Sequence, residues 1–153
     1  MRQLELRIPP LAVVAAFAVA IGLVTVYVPL IRISLPQHRY ASAALVFIGL
    51  LLALVGVLQF RRARTTVNPM SPDKASAVVS SGLYRWSRNP MYLGMALVLL
   101  GVAAWGSTLA GYLLVPGFCW YLTRFQIIPE EKALLVAFGQ EFARYMARVR
   151  RWI

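Results

Sequence analysis

The chain has 153 residues, of which 60% are hydrophobic and 14% are charged, whereas an average soluble domain has about 25% charged residues. This composition argues against an ordinary soluble domain and indicates one membrane domain over residues 1–153, whose solvent is mostly lipid. The 16 Lys and Arg residues outnumber the 5 Asp and Glu residues and give a net charge of +11. Because the basic residues fall mainly between and after apolar runs, we interpret the charge as contact with membrane lipids and not with nucleic acid.

Two residue types that often mark metal or redox sites occur once each. Cys119 is the single cysteine and lies within an apolar run, so an internal disulfide cannot form. His38 is the single histidine and is distant from Cys119 in sequence, which argues against a zinc site or a Cys–His catalytic pair. We therefore predict no metal centre.

The N-terminal part of the chain, residues 1–60, contains two apolar stretches that are long enough to cross a bilayer. Residues 8–31 carry no charge over 24 positions, more than the ~20 residues that a spanning helix needs. Since a secretory signal has an apolar core of only about 7–15 residues, we predict that this stretch is retained as a span. The second stretch, 41–60, ends at the basic sequence RRAR.

A polar loop and a long uncharged stretch follow. Residues 61–88 contain prolines and predict an ordered loop rather than a helix. Residues 89–123 carry no charge over 35 positions, and a single helix of that length would be ~52 Å long, too long for a ~30 Å hydrocarbon core. The sequence AWGSTLAG at 104–111 predicts a break, and hence a tight hairpin of two spans over about 90–105 and 108–125.

The C-terminal residues 130–150 change character, because their apolar residues recur at three- and four-residue spacing with Lys and Arg interspersed. This pattern predicts an amphipathic helix at the membrane surface or against the other helices. The 61–88 loop carries six basic residues and the 126–153 tail five, whereas the 104–111 turn carries none. The positive-inside rule then predicts an all-α, multi-pass membrane protein with four spans and both termini on the cytoplasmic side.

The predicted hairpin brings two polar segments to the same cytoplasmic mouth. Residues 89–92 (Asn-Pro-Met-Tyr) begin its first span, and residues 128–131 (Ile-Pro-Glu-Glu) follow its second. The acidic residues of the second segment would face Arg85 and Arg88. Because polar groups near lipid are costly unless they are used, we predict a polar pocket at this mouth.

Each feature of this mouth also has a simpler interpretation. The Asn89-Pro90 pair is typical of a helix start, and the glutamates after Pro129 suit the positive end of a helix dipole. The aromatic residues nearby are typical of a belt at the membrane interface. These interpretations are compatible with a binding site, because a helix N-terminus is also a natural ligand site.

Two motifs occur in order in the C-terminal part of the sequence. SGLYRWSRNPMYLG occupies 81–94 and PEEKALLVAFGQEFARYMARVRR occupies 129–151, and TTVNP precedes both. Together they resemble the isoprenylcysteine carboxyl methyltransferase family and its integral-membrane relatives, the phospholipid methyltransferases among them. The resemblance covers roughly residues 61–152 and implies a methyltransferase core with S-adenosylmethionine as methyl donor. The sequence has no GxGxxG motif and no βαβ pattern, so the implied donor site is not of the Rossmann type.

The resemblance also implies which residues hold the donor. Carried over by position, they are Pro69, Ser76, Ala77, Val78, Val79, Tyr84, Asn89, Pro90, Met91, Tyr92 and Glu130. Arg88 joins them because an arginine can pair with the donor's carboxylate. Aromatic faces can take the sulfonium or the adenine, and a glutamate can accept hydrogen bonds from the ribose hydroxyls or the ammonium.

The acceptor side is less defined by the resemblance. Glu131 completes the doublet that the phospholipid methyltransferases also use. Gln126 stands where the prenylcysteine enzymes have an arginine near the acceptor, and Arg124 lies two residues earlier. A carboxylate or thiolate acceptor needs no base, whereas an amine must first lose a proton, for which Glu130 or Glu131 are the candidates. We predict a lipophilic or small-molecule acceptor whose chemical class stays open.

A second hypothesis comes from another class of protein. A non-enzymatic small membrane protein, such as a transporter subunit or scaffold, would explain four spans and the positive charge equally well. It predicts functional polar residues within the spans. The spans are almost free of ionisable groups, and this distribution favours the enzyme.

Overall fold

The computed structural model describes residues 5–28, 31–33, 38–66, 70 and 75–153. Within these ranges the chain is helical and forms no β-strand. Its helices are α1 (Pro10–Tyr27), α2 (His38–Arg62), α3 (Pro90–Gly106), α4 (Leu109–Leu122), α5 (Ile128–Phe138) and α6 (Gln140–Arg148). A 3₁₀ turn, Gly82–Arg85, precedes α3, and a π-turn, Thr123–Ile127, joins α4 to α5.

Two of the described helices, α1 and α2, are long and apolar enough to cross a membrane, and α3 is a shorter apolar helix. Most of their large side chains that point away from the bundle are apolar and exposed, as expected for helices whose solvent is lipid. The first two predicted spans thus correspond to α1 and α2. α4 has 14 residues and is about 21 Å long before the π-turn continues it.

Small residues hold α2 and α3 together along their length. Ser42, Gly49 and Gly56 recur every seven residues on α2 and face, in that order, Gly101, Gly94 and Met91 on α3. A Cβ on Gly49 would lie 2.6 Å from the carbonyl oxygen of Gly94, so the two backbones are in direct contact. Such small-residue seams are a common means of close helix approach in membranes.

The α3–α4 turn lies at the break that the sequence predicts at 104–111. Ser107 ends α3 in the left-handed region with φ 52°, and the Thr108 hydroxyl caps α4 by accepting the N–H of Gly111. An isolated antiparallel bridge joins Thr108 to Arg32, in the connection between α1 and α2. This connection and the hairpin turn therefore lie at one end of the bundle.

The tail differs from the single amphipathic helix that the sequence predicts, because it is divided into α5 and α6. Gly139 stands between them with φ 51° and ψ −122°, a conformation open mainly to glycine. The break changes the direction of the chain, and Phe142 and Tyr145 of α6 pack against Val79 and Tyr84 in one apolar cluster. The expectation of one continuous helix was wrong at this position.

Candidate functional site

The site is built at the end of the bundle that lies opposite the hairpin turn. Pro90 begins α3 at its first helical position, as predicted. Asn89 stands at the N-cap, but its side chain makes no capping hydrogen bond. Instead its Nδ2 donates to the carbonyl oxygen of Arg151 at 2.9 Å, and the backbone N–H of Arg88 donates to the carbonyl oxygen of Arg150 at 3.0 Å. The residues that begin α3 therefore bind the backbone of residues 150 and 151.

A cavity lies between the 3₁₀ turn, α3, α5 and α6. Its volume is about 70 Å³, which is smaller than the range of about 300–1,000 Å³ that is usual for small-molecule sites. Ten of the residues predicted from the sequence line it: Ala77, Val78, Val79, Tyr84, Arg88, Asn89, Met91, Tyr92, Glu130 and Glu131. The two C-terminal sequence motifs, 81–94 and 129–151, thus form facing walls of one cavity.

The remaining predicted residues that the structure describes do not line the cavity. Ser76 is exposed and hydrogen-bonds the hydroxyl of Thr65 through its N–H, at 3.0 Å. Pro90 is buried in α3 without lining the cavity. Arg124 forms an ion pair with Glu5, with Nη1 and Oε1 2.7 Å apart. Pro69 lies outside the described residues.

Glu130 is the carboxylate at the centre of the site. It lies in the first turn of α5 and accepts a hydrogen bond of 3.0 Å from the hydroxyl of Tyr92 on α3. Desolvation by the surrounding protein raises the pKa of Glu130 to about 8, and the Tyr92 hydrogen bond only partly offsets this. The neighbouring charge of Glu131 raises the pKa further. A carboxyl group in the cavity wall therefore changes its charge near neutral pH.

Glu131 has a different environment, because two arginines neutralise it. Its Oε1 lies 3.2 Å from Nη2 of Arg88, and its Oε2 lies 2.7 Å from Nη2 of Arg151. The side chains of Arg88 and Glu131 are only 12% and 13% exposed. The doublet thus contains one glutamate without an arginine partner in the described residues and one that is held in an ion-pair network.

Tyr84 closes the cavity from the 3₁₀ turn. Its ring lies 5.1 Å from that of Phe60, and its carbonyl oxygen accepts the hydroxyl hydrogen of Tyr145 at 2.8 Å. Burial raises the pKa of Tyr84 well above its usual value, so its hydroxyl stays protonated. Among the described residues, two buried polar atoms of this cavity have no hydrogen-bond partner, namely Oη of Tyr84 and Nε of Arg88. Such orphaned atoms suit a site that receives a polar ligand.

Gln126 lies behind the cavity wall on the π-turn. It is 3% exposed, and its side chain hydrogen-bonds the hydroxyl of Tyr92. Gln126 therefore reaches Glu130 through Tyr92 and not through the cavity itself. π-turns within α-helices are frequent at functional sites.

Six lining residues were not predicted as site residues: Phe60, Ala75, Ile127, Leu134, Phe142 and Tyr145. Leu134, Phe142 and Tyr145 belong to the apolar face that the helical spacing identified in the tail. That face could equally have met the membrane surface, so the pattern gave no signal for a cavity. Phe60 lies near the end of α2, and only the fold shows that it meets Tyr84.

The described residues form a helical bundle with a cavity at one end, and two of its helices are long and apolar enough to cross a membrane. The chain belongs to the phospholipid methyltransferase family, whose sequence model matches residues 38–141. This is the family of membrane methyltransferases related to isoprenylcysteine carboxyl methyltransferase, so the predicted resemblance is confirmed. The chain is also 40% identical over 63 residues to an uncharacterized protein of Haemophilus influenzae. The matched stretch covers 41% of this chain and 100% of that protein. Membership of a methyltransferase family supports the enzyme hypothesis over a transporter subunit or scaffold.

Proposed function

We propose that the protein is an S-adenosylmethionine-dependent methyltransferase and that the cavity between α3 and α5 is its donor site. The observation that carries the proposal is the convergence of Glu130, Arg88 and Tyr84 on one cavity within the family-matched region. Each supplies a polar group that lacks a full set of partners among the described residues.

The chemistry of the lining fits the donor group by group. Glu130 offers a carboxylate for an ammonium, a sulfonium or ribose hydroxyls, and it lacks an arginine partner in the described residues. Arg88 has an Nε–H without a partner among the described residues, which suits a carboxylate. The rings of Tyr84 and Phe60 offer an aromatic surface for an adenine or a cation. The residues therefore fit S-adenosylmethionine, which when bound supplies an activated methyl group.

The chain's own contribution is alignment, exclusion of water and control of one proton. The apolar lining from Val78, Met91 and Leu134 keeps water from the cavity walls. Glu130 holds a proton near neutral pH and releases it when a cation approaches, since the cation stabilises its charged form. With an amine acceptor, the same carboxylate would take the proton that the nitrogen loses. With a carboxylate or thiolate acceptor no base is required.

The acceptor-side residues take different roles under this proposal. Glu131 lines the cavity, and Gln126 acts through Tyr92. Arg124 is engaged by Glu5, so we assign it no direct contact with the acceptor. The acceptor is a lipophilic or small molecule, in keeping with a family of membrane enzymes.

We further propose four spans, with the cavity and both termini on the cytoplasmic side. α3 and α4 would be the third and fourth spans, and both are apolar. Exposed arginines surround the cavity end of the bundle, on α2 (Arg61 and Arg62), the 3₁₀ turn (Arg85) and α6. Only Arg32 and Arg39 of the described residues lie near the opposite end. The positive-inside rule places the end with more arginines, which is the cavity end, on the cytoplasmic side.

The test is calorimetric titration of the detergent-purified full chain with S-adenosylhomocysteine. We expect binding by the wild type and a loss of at least about tenfold in Glu130→Ala. The matched control is Glu141→Ala, which removes an exposed carboxylate of α6 that lies away from the cavity. A wild type that does not bind would refute the methyltransferase proposal, whereas unchanged binding in Glu130→Ala would refute only the site. Radiolabelled donor with lipids, thiols and amines then identifies the acceptor class.

A further inference from the structure

Residues near both ends of the described chain form hydrogen bonds and an ion pair with the π-turn Thr123–Ile127. Residues 5–7 form a turn, which we call the N-terminal strap, and they contact the π-turn through a backbone hydrogen bond and an ion pair. From the other side, Nε1 of Trp152 donates to the hydroxyl oxygen of Thr123 at 3.1 Å. We infer that the N-terminal strap positions the donor site: it fixes the π-turn so that Gln126 holds Tyr92 against Glu130.

The backbone contact exists because of a proline in the next helix. Pro129 has no N–H and cannot donate to the carbonyl oxygen of Phe125, four residues earlier. That oxygen accepts the N–H of Leu6 at 3.1 Å. The N–H of Leu6 thus supplies to the Phe125 carbonyl oxygen the hydrogen bond that Pro129 cannot donate.

The strap adopts an uncommon backbone conformation to make this contact. Leu6 has φ 57°, in the left-handed region that residues other than glycine seldom adopt, because the Cβ atom crowds the following carbonyl oxygen. Such a conformation persists only where the surrounding contacts hold it. Here the holding contacts are those of Leu6 with Phe125 and of Glu5 with Arg124.

The ion pair fixes the strap to the same turn. Nη1 of Arg124 lies 2.7 Å from Oε1 of Glu5, and the two side chains are 37% and 27% exposed. The guanidinium of Arg124 also lies over the ring of Phe125, 5.4 Å from its centroid. Arg124 is therefore held from two directions, which makes it a positioning residue rather than an acceptor ligand.

The route from the strap to the site is short. Arg124 and Gln126 belong to the same π-turn, and Gln126 hydrogen-bonds the Tyr92 hydroxyl, which donates to Glu130 at 3.0 Å. A shift of the turn would move the Gln126 side chain and loosen that hydrogen bond. The strap precedes the family-matched residues 38–141, so the family assignment does not imply this role.

The inference rests on the proposed donor site, and the experiment separates the two. Full chains in detergent are titrated with S-adenosylhomocysteine at several pH values. Glu5→Arg places two cations together, and we expect the affinity to fall roughly five- to tenfold. The charge-exchanged double variant, Glu5→Arg with Arg124→Glu, should return to within about twofold of the wild type. Arg7→Glu is the matched control, because Arg7 is an exposed residue of the same strap, and its affinity should not change.

A second readout separates positioning from mere stability. In Glu5→Arg the midpoint of the pH dependence of affinity should move upward, because a loosened Tyr92 hydrogen bond no longer favours the ionised form of Glu130. A strap that only stabilises the fold would lower the melting temperature and leave that midpoint in place. Glu5→Gln provides the same test if Glu5→Arg does not fold.

The outcomes are distinguishable. Wild-type binding with unchanged affinity in Glu5→Arg, or a double variant as weak as the single one, would overturn the role of the strap and leave the proposed donor site standing. A wild type that does not bind would overturn both.

Discussion

The hydroxyl of Tyr92, in the first turn of α3, donates a hydrogen bond of 3.0 Å to Oε2 of Glu130, in the first turn of α5. The two residues are 38 positions apart and are brought together by the α3–α4 hairpin. This contact joins the two sequence motifs, and it favours the ionised form of the Glu130 carboxylate, which burial disfavours.

Removing the Tyr92 hydroxyl should therefore weaken donor binding at neutral pH. Its hydrogen bond stabilises the ionised Glu130, so Tyr92→Phe raises the pKa of Glu130 further. We expect a roughly three- to tenfold lower affinity for S-adenosylhomocysteine at pH 7, with part of the loss recovered at pH 9. Tyr121→Phe, in the same bundle but outside the cavity, is the control. An equal loss at both pH values would contradict a role through the charge of Glu130.

The raised pKa of Glu130 also predicts a pH-dependent stability. The folded protein keeps a proton that the unfolded chain, with an ordinary glutamate pKa of 4.5, releases. This contribution is fully present below pH 4.5 and is lost as the pH rises through about 8. Glu130→Gln should remove it, so the variant should melt several degrees above the wild type at pH 9 and close to it at pH 5.

The measurement is thermal melting of the ligand-free proteins in detergent over this range of pH. Because unfolding in detergent is often irreversible, the comparison is between variants at one scan rate. A constant difference between wild type and Glu130→Gln from pH 5 to pH 9 would show that Glu130 does not titrate in this window.

Much of the site could be predicted from local patterns. The break near Ser107 follows from the length of the uncharged stretch, and the start of α3 follows from Pro90. Because a hairpin returns the chain to the side from which it came, the sequence order alone was enough to bring residues 89–92 and 128–131 together.

Long-range pairings were beyond the sequence. The side chain of Asn89 has the chemistry of an N-cap, yet it binds the carbonyl oxygen of Arg151, 62 residues away. Arg124 bonds Glu5 across 119 residues. Gly139 breaks the tail because its neighbours in α6 gain burial against Val79 and Tyr84, whereas an isolated glycine within a helical pattern is often tolerated.

The ion-pair network around Glu131 should be important for stability. Glu131→Gln leaves the largely buried Arg88 without a counter-charge, and loss of one partner from a buried pair costs about 3–5 kcal/mol. The partial exposure of Arg151 places this case at the lower end. We expect the melting temperature to fall by roughly 5–10 °C.

The control for this prediction is Glu141→Gln, since Glu141 is exposed on α6 and should melt within about 1 °C of the wild type. The double variant Glu131→Gln with Arg88→Gln should recover part of the loss, because the unpaired charge is removed. No recovery would indicate that Arg151 and not Arg88 is the important partner.

The glycine seam between α2 and α3 gives the last prediction. In Gly49→Ala the new methyl group would lie 2.6 Å from the carbonyl oxygen of Gly94 and 2.9 Å from the N of Val98, so backbone atoms must move apart. Overpacking of this kind costs typically about 1–3 kcal/mol and should lower the melting temperature by several degrees.

Gly22 lies within α1, and a methyl group added there would meet no atom within 4 Å, so Gly22→Ala is the matched control. Gly22→Ala should leave the stability of the fold unchanged or raise it slightly, because alanine favours a helix over glycine by up to about 1 kcal/mol. Equal effects of the two substitutions would show that helix propensity, and not contact between α2 and α3, decides the stability of this seam.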